Sequence, residues 1–240
     1  MLESIALDPD VRVLEDDSLR PAPSRAVLAR VDELWREQSA ARGTALHDGK
    51  LFSVSSASPL ELRGWFADYR WWVAQRRDPA LRETLGVRPL GVTGLVRAGD
   101  ATLFGRRSPR VLQNPGRWEL APSGGVEPSA RSADGALSLV AQLIAEAREE
   151  LGLAPESVAH ATPFALIEDA RSGVLDAFVE LEIAMPASEL ALLVSRAPRE
   201  EYQQLVCVAD GELGAWLEQI GDALDPVSRA ALASPRKRRS

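Results

Sequence analysis

The stretch "PSGGVEPSARSADGALSLVAQLIAEAREELGLAP", residues 122–155, decides how the fold of this sequence is interpreted. It begins with a glycine pair, Gly124 and Gly125, and its glutamate-rich second half ends at Gly152. A glycine turn lets the backbone approach a phosphate closely. A glycine directly after a helix is a common C-terminal cap. The stretch therefore predicts a short strand, a glycine turn and then one helix.

The predicted helix has two different faces. At about 100° per residue, one face collects the apolar residues Leu137, Val140, Ile144, Ala147 and Leu151. Glu146, Glu149 and Glu150 collect on the opposite face, at spacings that make their side chains neighbours. Three close negative charges repel each other, and a hard divalent cation with oxygen ligands would offset that repulsion. The alternative is an ordinary solvated helix face, which this pattern fits equally well.

The segments around this helix predict a mixed α/β fold with a sheet at its core. Residues 90–108 read as a hairpin around "AGD", and residues 116–125 read as a short strand that ends in the glycine turn. Residues 175–184 alternate between apolar and other side chains, which predicts a strand with one buried face. Residues 203–209 form a further strand, and residues 210–224 form a closing helix capped by Asp210.

Residues 1–88 are predicted to form a smaller N-terminal α+β domain. Residues 23–43 have helical periodicity, with Ser24 as the N-cap and Gly43 as the stop. Residues 50–59 read as a strand and turn, and residues 60–86 read as a strand that becomes helical around residues 78–86. Residues 89–232 then form the second domain, and residues 233–240 form a basic tail.

The composition narrows the class of protein. The chain has 240 residues, of which 45% are hydrophobic and 26% charged, as in a globular protein. A net charge of −7 argues against a general nucleic-acid binder. The single cysteine, Cys207, excludes an intramolecular disulfide, and the distant His47 and His160 argue against a histidine-rich metal site. No apolar run approaches the length of about 20 residues needed to span a membrane. We expect a cytoplasmic protein.

Residues Ala145–Leu153, "AEAREELGL", resemble the end of the Nudix box. That signature runs glycine, five residues, glutamate, seven residues, then Arg-Glu-apolar-any-Glu-Glu-any-Gly-apolar. The residues that fall on it are Glu146, Glu149, Glu150, Gly152 and Leu153, and the likeness covers about residues 90–222. Two features depart from it. Ala145 replaces the arginine, and the segment from Gly125 is six residues longer, so the first glutamate has no counterpart.

In these two departures the sequence resembles the UDP-glucose pyrophosphatase branch of the Nudix hydrolases. That branch also has a longer segment between glycine and helix, lacks the arginine and carries an N-terminal domain. This resemblance implies an α/β fold of the α+β type. Specifically, it implies a Nudix-like α/β/α sandwich with a mixed sheet, plus a smaller N-terminal α+β domain. It also implies a hydrolase that cleaves the diphosphate of a nucleotide sugar such as UDP-glucose, giving UMP and glucose 1-phosphate.

The resemblance further implies which residues carry the chemistry. Glu146, Glu149 and Glu150 would be catalytic ligands of Mg²⁺ or Mn²⁺, and the backbone at Gly124 and Gly125 would shape the loop near the diphosphate. Many family members use a further carboxylate before a late strand, for which Glu201 is the candidate and Glu200 the next. Glu201 also fits a solvated loop charge.

Substrate-binding candidates follow from side-chain chemistry. Arg106, Arg107 and Arg117 suit bidentate contacts with phosphate, and the ring of Tyr69 suits stacking on a base or sugar. The alternatives are solvated arginines and an aromatic core. Two other functions remain open: a pyrophosphatase for ADP-ribose or another nucleoside diphosphate derivative, and a ligand-binding or regulatory Nudix fold with weak catalysis. We expect a small-molecule substrate, without nucleic acid or membrane partners.

Overall fold

The computed structural model describes residues 2–42, 47–111, 113–198 and 200–236. The strands in these ranges are β1 Leu2–Ala6, β2 Arg12–Glu15, β3 Lys50–Ala57, β4 Glu61–Asp68, β5 Leu90–Ala98, β6 Ala101–Arg107, β7 Trp118–Leu120, β8 Ser123–Gly125, β9 Val158–Asp169, β10 Val174–Ile183 and β11 Tyr202–Ala209. The helices are α1 Arg25–Arg42, α2 Tyr69–Arg77, α3 Arg82–Leu85, α4 Leu139–Leu151, α5 Ala187–Val194, α6 Asp210–Ile220 and α7 Pro226–Ala233.

An eight-stranded mixed sheet organises the molecule. Its strands follow the order β1-β9-β10-β5-β6-β11, with β7 paired to β6 and β8 paired to β5. β10 and β5 run parallel, whereas the neighbouring pairs are antiparallel. A second, three-stranded sheet has the order β2-β4-β3. The predicted hairpin around residues 98–100 is present as β5–β6, and β9 and β10 form a second antiparallel pair.

Both faces of the large sheet are covered by helices. Along β5, Val92 and Val96 belong to the same core cluster as Leu143 of α4. Leu95, which points to the other face, belongs to the cluster that includes Val227 of α7 and is flanked by α6. Because side chains alternate along a strand, one strand serves two cores. The predicted α/β/α sandwich with a mixed sheet is confirmed.

Helix α4 has the predicted C-terminal cap but a different buried face. The Ser138 hydroxyl accepts a hydrogen bond from the Ala141 N–H at 3.1 Å, and Gly152 ends the helix with φ of 73°. Within α4 the buried residues are Leu139, Gln142, Leu143, Ala147, Glu150 and Leu151. The prediction that all three glutamates lie opposite the packed face is therefore wrong for Glu150. The predicted apolar face included Val140 and Ile144, and both of these side chains are only half-buried.

The long segment before α4 packs against the small sheet. The Leu137 N–H donates to the Val13 carbonyl at 2.8 Å, which joins this segment to β2. Arg131 forms an ion pair with Glu15, and Arg12 lies 3.5 Å from Asp134. The extra residues in the resembled motif therefore connect the α4 side of the molecule to its N-terminal residues.

The N-terminal residues share both a sheet and a core with the rest of the chain. β1 pairs with β9 at the edge of the large sheet. Phe52 and Val54 of β3 belong to the same core cluster as Val92 of β5. The division into units 1–88 and 89–232 stays a prediction, but residues 2–6 are part of the larger sheet.

Several boundaries differ from the predictions. The Ser24 hydroxyl caps α1 as predicted, accepting from the Val27 N–H at 3.3 Å, whereas Gly43 lies outside the described residues. The second helix begins at Tyr69, earlier than predicted. Gly124 and Gly125 belong to the strand β8 rather than to a turn, because their backbone pairs with β5.

The C-terminal region also differs. Asp210 is the first residue of α6 and forms an ion pair with Arg97 at 2.7 Å, instead of capping the helix. α5 and α7 were not predicted. Residues 237–240 of the basic tail lie outside the described residues. In the ranges that the structure describes, no helix is long and apolar enough to cross a membrane.

Candidate active site

A cavity of about 420 Å³ lies between the large sheet, α4 and the N-terminal residues. Acidic side chains line one part of it: Glu119, Glu127, Glu146, Glu150, Asp176, Glu201 and Asp225. Lys50, Tyr69 and Trp72 line another part, and the glycines Gly91, Gly124 and Gly125 complete the wall. The cavity therefore joins a dense carboxylate cluster to an aromatic wall.

Glu146 and Glu150 project from the same side of α4 toward β8. The Gln142 amide donates to Glu146 Oε1 at 2.7 Å, and the Ser123 N–H donates to Glu150 Oε2 at 3.3 Å. A Cβ atom at position 124 would overlap the carboxylate of Glu146, so glycine at this position lets that side chain lie directly against the backbone of β8. The predicted approach of the glycine backbone to a phosphate stays a prediction, and the group that lies against Gly124 in the structure is the Glu146 side chain.

The electrostatics of these two glutamates favour a cation. Burial, together with the charges of Glu146 and Glu201, raises the pKa of Glu150 to about 9. Burial also raises the pKa of Glu146, with Glu149, Glu127 and Glu201 contributing in the same direction. Each ionised carboxylate thus makes its neighbours harder to ionise. A positive ion in the cavity would relieve this repulsion.

Glu119 lies beneath this pair, in the centre of a hydrogen-bonded group. Its Oε1 accepts from the Ser123 hydroxyl at 3.0 Å and from the Tyr202 hydroxyl at 3.2 Å, and lies 3.4 Å from Arg107 Nη1. Arg107 Nη1 also lies 3.1 Å from Glu201 Oε2. Burial raises the pKa of Glu119 to about 7, although the Arg107 charge opposes this.

Asp176 and Asp225 form a second acidic pair in the cavity wall. Burial raises the pKa of Asp176 to about 7, the charge of Asp225 adds to the rise, and the hydrogen bond from Thr93 opposes it. Asp225 caps α7, accepting from the Ser228 N–H at 2.9 Å, and it also accepts from the Asn114 amide at 3.1 Å. These contacts hold Asp225 in place at the cavity.

The structure brings most of the predicted site residues together. The cavity wall includes Glu146, Glu150, Glu201, Gly124, Gly125, Arg107 and Tyr69. Glu149 is exposed, and it is not one of the described residues that line the cavity. Arg106 and Arg117 are outside that wall as well. Arg106 donates to the Gly116 carbonyl at 3.1 Å, and Arg117 donates to the Asp222 and Leu224 carbonyls. The roles predicted for these three residues stay predictions.

Sequence reasoning missed Glu119, Asp176 and Tyr202. Glu119 lies between Trp118 and Leu120 in a short strand whose three residues are all buried. A charged residue between two apolar ones could have marked it as a candidate site residue. Asp176 lies on the strand face that alternation assigned to solvent. That face is covered instead, because Phe178 on it belongs to the core cluster beside α7.

The donor set fits a hard divalent cation in its chemistry. Mg²⁺ and Mn²⁺ prefer carboxylate oxygens, and Glu146, Glu150 and Glu119 supply them on one wall. Within the part of the chain that the structure describes, no three acidic, histidine or cysteine side chains already stand in a coordinating arrangement. An ion held there would draw these carboxylates closer together.

Comparisons with known proteins give weak likenesses. No protein-family model matches the chain, and no curated protein matches it. A crystal structure of a Deinococcus radiodurans protein aligns with a TM-score of 0.49 and 18% identity, covering 78% of this chain and 99% of that one. A bifunctional NMN adenylyltransferase/ADP ribose pyrophosphatase from Francisella tularensis, in complex with AMP and a Mn ion, aligns with a TM-score of 0.44 and 16% identity. That alignment covers 67% of this chain and 46% of the other.

A MutT Nudix hydrolase from Burkholderia pseudomallei aligns with a TM-score of 0.39 and 20% identity, covering 61% of this chain and 97% of that one. These identities and TM-scores are low. The functional assignment therefore rests on the residues of the site itself.

Proposed function

We propose that this protein is a metal-dependent hydrolase of the Nudix type, which cleaves the diphosphate of a nucleoside diphosphate-linked small molecule. One observation carries the proposal. Glu146 and Glu150, which fall on the resembled Nudix box, both line the cavity of about 420 Å³, and the Glu146 carboxylate lies directly against Gly124. A solvated helix face, the alternative reading of the sequence, would leave Glu150 exposed, whereas it is buried.

Four carboxylates of the site have two parts in the proposed reaction. Glu146, Glu150 and Glu119 would hold Mg²⁺ or Mn²⁺, and the ion would neutralise the diphosphate and make a water more acidic. Glu201 would accept the proton of the attacking water, because its carboxylate is partly exposed and can return the proton to solvent. Phosphoryl-transfer catalysis depends mostly on positioning and charge stabilisation. The hydrogen bonds of Ser123 with Glu119 and Glu150 support that positioning here.

For the substrate we propose a nucleotide sugar such as UDP-glucose. The aromatic wall supports this choice, since Tyr69 and Trp72 line the cavity with their ring centroids 5.4 Å apart. Aromatic faces of this kind suit a base or a sugar ring. The likeness of the sequence to the UDP-glucose pyrophosphatase branch supports it as well. ADP-ribose, which has the same diphosphate and a sugar at each end, is the alternative substrate.

A ligand-binding protein without turnover is the second candidate. Ala145, in place of the motif arginine, and the missing counterpart of the motif's first glutamate favour it. The two candidates differ in one measurable respect: only an enzyme releases nucleoside monophosphate.

The test is to incubate the protein with Mg²⁺ or Mn²⁺ and a panel containing UDP-glucose, other nucleotide sugars and ADP-ribose, and to quantify monophosphate release. We expect the largest kcat/KM with UDP-glucose. Glu150→Gln should lower that value by at least about 100-fold, since even residues that support a metal ligand typically cost 10–100-fold. Glu218→Gln, on the exposed surface of α6, is the matched control.

Different outcomes separate the candidates. A higher kcat/KM for ADP-ribose than for any UDP-sugar would overturn the nucleotide-sugar assignment. Tight binding of one compound with no monophosphate release from any would favour the ligand-binding protein. Equal activities of Glu150→Gln and Glu218→Gln would show that the reaction occurs at another site.

A further inference from the structure

We propose that Arg107, together with Tyr202 and Ser123, is a positioning residue that holds the carboxylates of this site in place. This inference rests on the proposed function of the cavity and deepens it. It also revises the simplest role for Arg107, which is direct contact with a substrate phosphate.

The first support is how completely Arg107 is already engaged. Its side chain is 12% exposed, and Nη1 lies within 3.4 Å of Glu119 and within 3.1 Å of Glu201. Its guanidinium also lies over the ring of Tyr202, 5.8 Å from the centroid. A guanidinium held between two carboxylates and a ring has a fixed geometry, and a phosphate would have to displace those partners.

The second support is a continuous set of contacts from Arg107 to a box glutamate. Arg107 contacts Glu119, and Glu119 accepts from the hydroxyls of Ser123 and Tyr202. The backbone N–H of Ser123 then donates to Glu150. Arg107, Glu119 and Ser123 lie on three different strands of the sheet. The network therefore joins the rigid sheet to the end of α4.

The third support is that the backbone is shaped to admit this network. Gly105 lies two residues before Arg107, and a Cβ atom there would overlap the ring of Tyr202. Tyr202 is fully buried, so its ring cannot swing out into solvent to avoid such a Cβ atom. The ring sits where it can both cover Arg107 and donate to Glu119. The close approach at Gly105 thus serves the site.

Mn²⁺ binding distinguishes positioning from a simple effect of charge. Arg107→Gln removes a positive charge near a cation site, and by electrostatics alone this should tighten Mn²⁺ binding. If Arg107 holds the carboxylates in place, the same change should weaken binding. We expect the dissociation constant for Mn²⁺, measured by calorimetry on the full chain, to rise about tenfold. With substrate, kcat should fall about 10–100-fold, with little change in KM.

Two further variants complete the experiment. Tyr202→Phe removes the hydroxyl contacts with Glu119 and Ser123 without changing charge, and it should move kcat and the Mn²⁺ dissociation constant in the same direction. The effects of Arg107→Gln and Tyr202→Phe should be non-additive, since they act in one network. Arg97→Gln is the control, because Arg97 is also a partly buried strand arginine, ion-paired with Asp210 and outside the described cavity wall.

The outcomes that overturn the inference are specific. Tighter Mn²⁺ binding with unchanged kcat in Arg107→Gln would show a charge effect only. A raised KM with unchanged kcat would show that Arg107 binds the substrate. If Arg107→Gln does not fold, Tyr202→Phe decides by the same two measurements. If the wild type releases no monophosphate from any compound, the proposed function fails while Mn²⁺ affinity still tests the network. Absence of Mn²⁺ binding by the wild type would overturn both.

Discussion

Asp176 is a residue whose protonation should make the stability of the fold depend on pH. In the folded chain burial raises the pKa of Asp176 from 3.8 to about 7. Below about pH 4 the carboxyl is protonated in both the folded and the unfolded chain, so it does not make the free energy of unfolding depend on pH. Between about pH 4 and 7 the unfolded chain loses the proton while the folded chain keeps it. Rising pH therefore destabilises the fold across this window, and the loss is complete above about pH 7.

Asp176→Asn should remove this dependence. Three pKa units correspond to at most about 4 kcal/mol, so the variant should be more stable than the wild type at pH 8 and similar to it near pH 4. The amide oxygen can still accept the hydrogen bond from Thr93. Urea denaturation between pH 4 and 8 measures the difference, and Asp222→Asn, at an exposed position, is the control. A variant less stable than the wild type at pH 8 would contradict the argument.

Among the site residues, the sequence predicted those that share a local spacing pattern. It missed those that are brought to the site only by tertiary packing. Glu146 and Glu150 were predicted from their spacing on one helix. Their burial was not, because it comes from Ser123 and Gly124 on β8, and a helical wheel contains no information about the neighbouring strand. Glu119 and Tyr202 lie 83 residues apart, so no local pattern could join them.

At the scale of elements, the segment between β8 and α4 has a structural role that its sequence does not reveal. Residues 126–138 bring Leu137 against β2, where its backbone N–H bonds Val13. The Leu137 side chain is 3% exposed and belongs to the core cluster that includes Leu143. We infer that this segment fixes the start of α4, and with it the position of Glu146 and Glu150, relative to the N-terminal strands.

Leu137→Ala should destabilise the protein by about 3 kcal/mol, because truncating a buried leucine costs both transfer free energy and a cavity. Urea denaturation gives the free energy of unfolding. Leu192→Ala, at a position that is 56% exposed on α5, should change it by less than about 0.5 kcal/mol. Equal effects of the two substitutions would show that the insertion does not pack on the core in solution.

Elements with a strong local signal were predicted, and those without one were not. The β5–β6 hairpin has an apolar run on each side of Gly99, and α4 ends at Gly152, the cap that its sequence predicts. α5 and α7 have only eight residues each, too few for a periodicity to stand out. Gly124 and Gly125 were predicted as a turn because glycine pairs usually are; pairing with β5 makes them a strand.

At the scale of the whole molecule, the N-terminal residues contribute to the sheet, the core and the cavity together. β1 covers the edge of β9, Phe52 packs in the core cluster around Val92, and Tyr69 lines the cavity. Sequence composition suggested two separate domains because local patterns change near residue 88. Contacts between residues far apart in the chain decide whether such a change is a real boundary, and these are absent from any local pattern.

A chain that begins at residue 89 should therefore fail to fold cooperatively. Without β1, the backbone edge of β9 would be exposed, which favours aggregation. Without Phe52 and Val54, the core residues that pack against them would be exposed as well. We expect no cooperative urea transition and no Mn²⁺ binding, whereas a chain that lacks only residues 237–240 should behave like the wild type. A cooperative transition in the shortened chain, with Mn²⁺ affinity retained, would instead establish residues 89–232 as an independent domain and limit the N-terminal residues to substrate recognition.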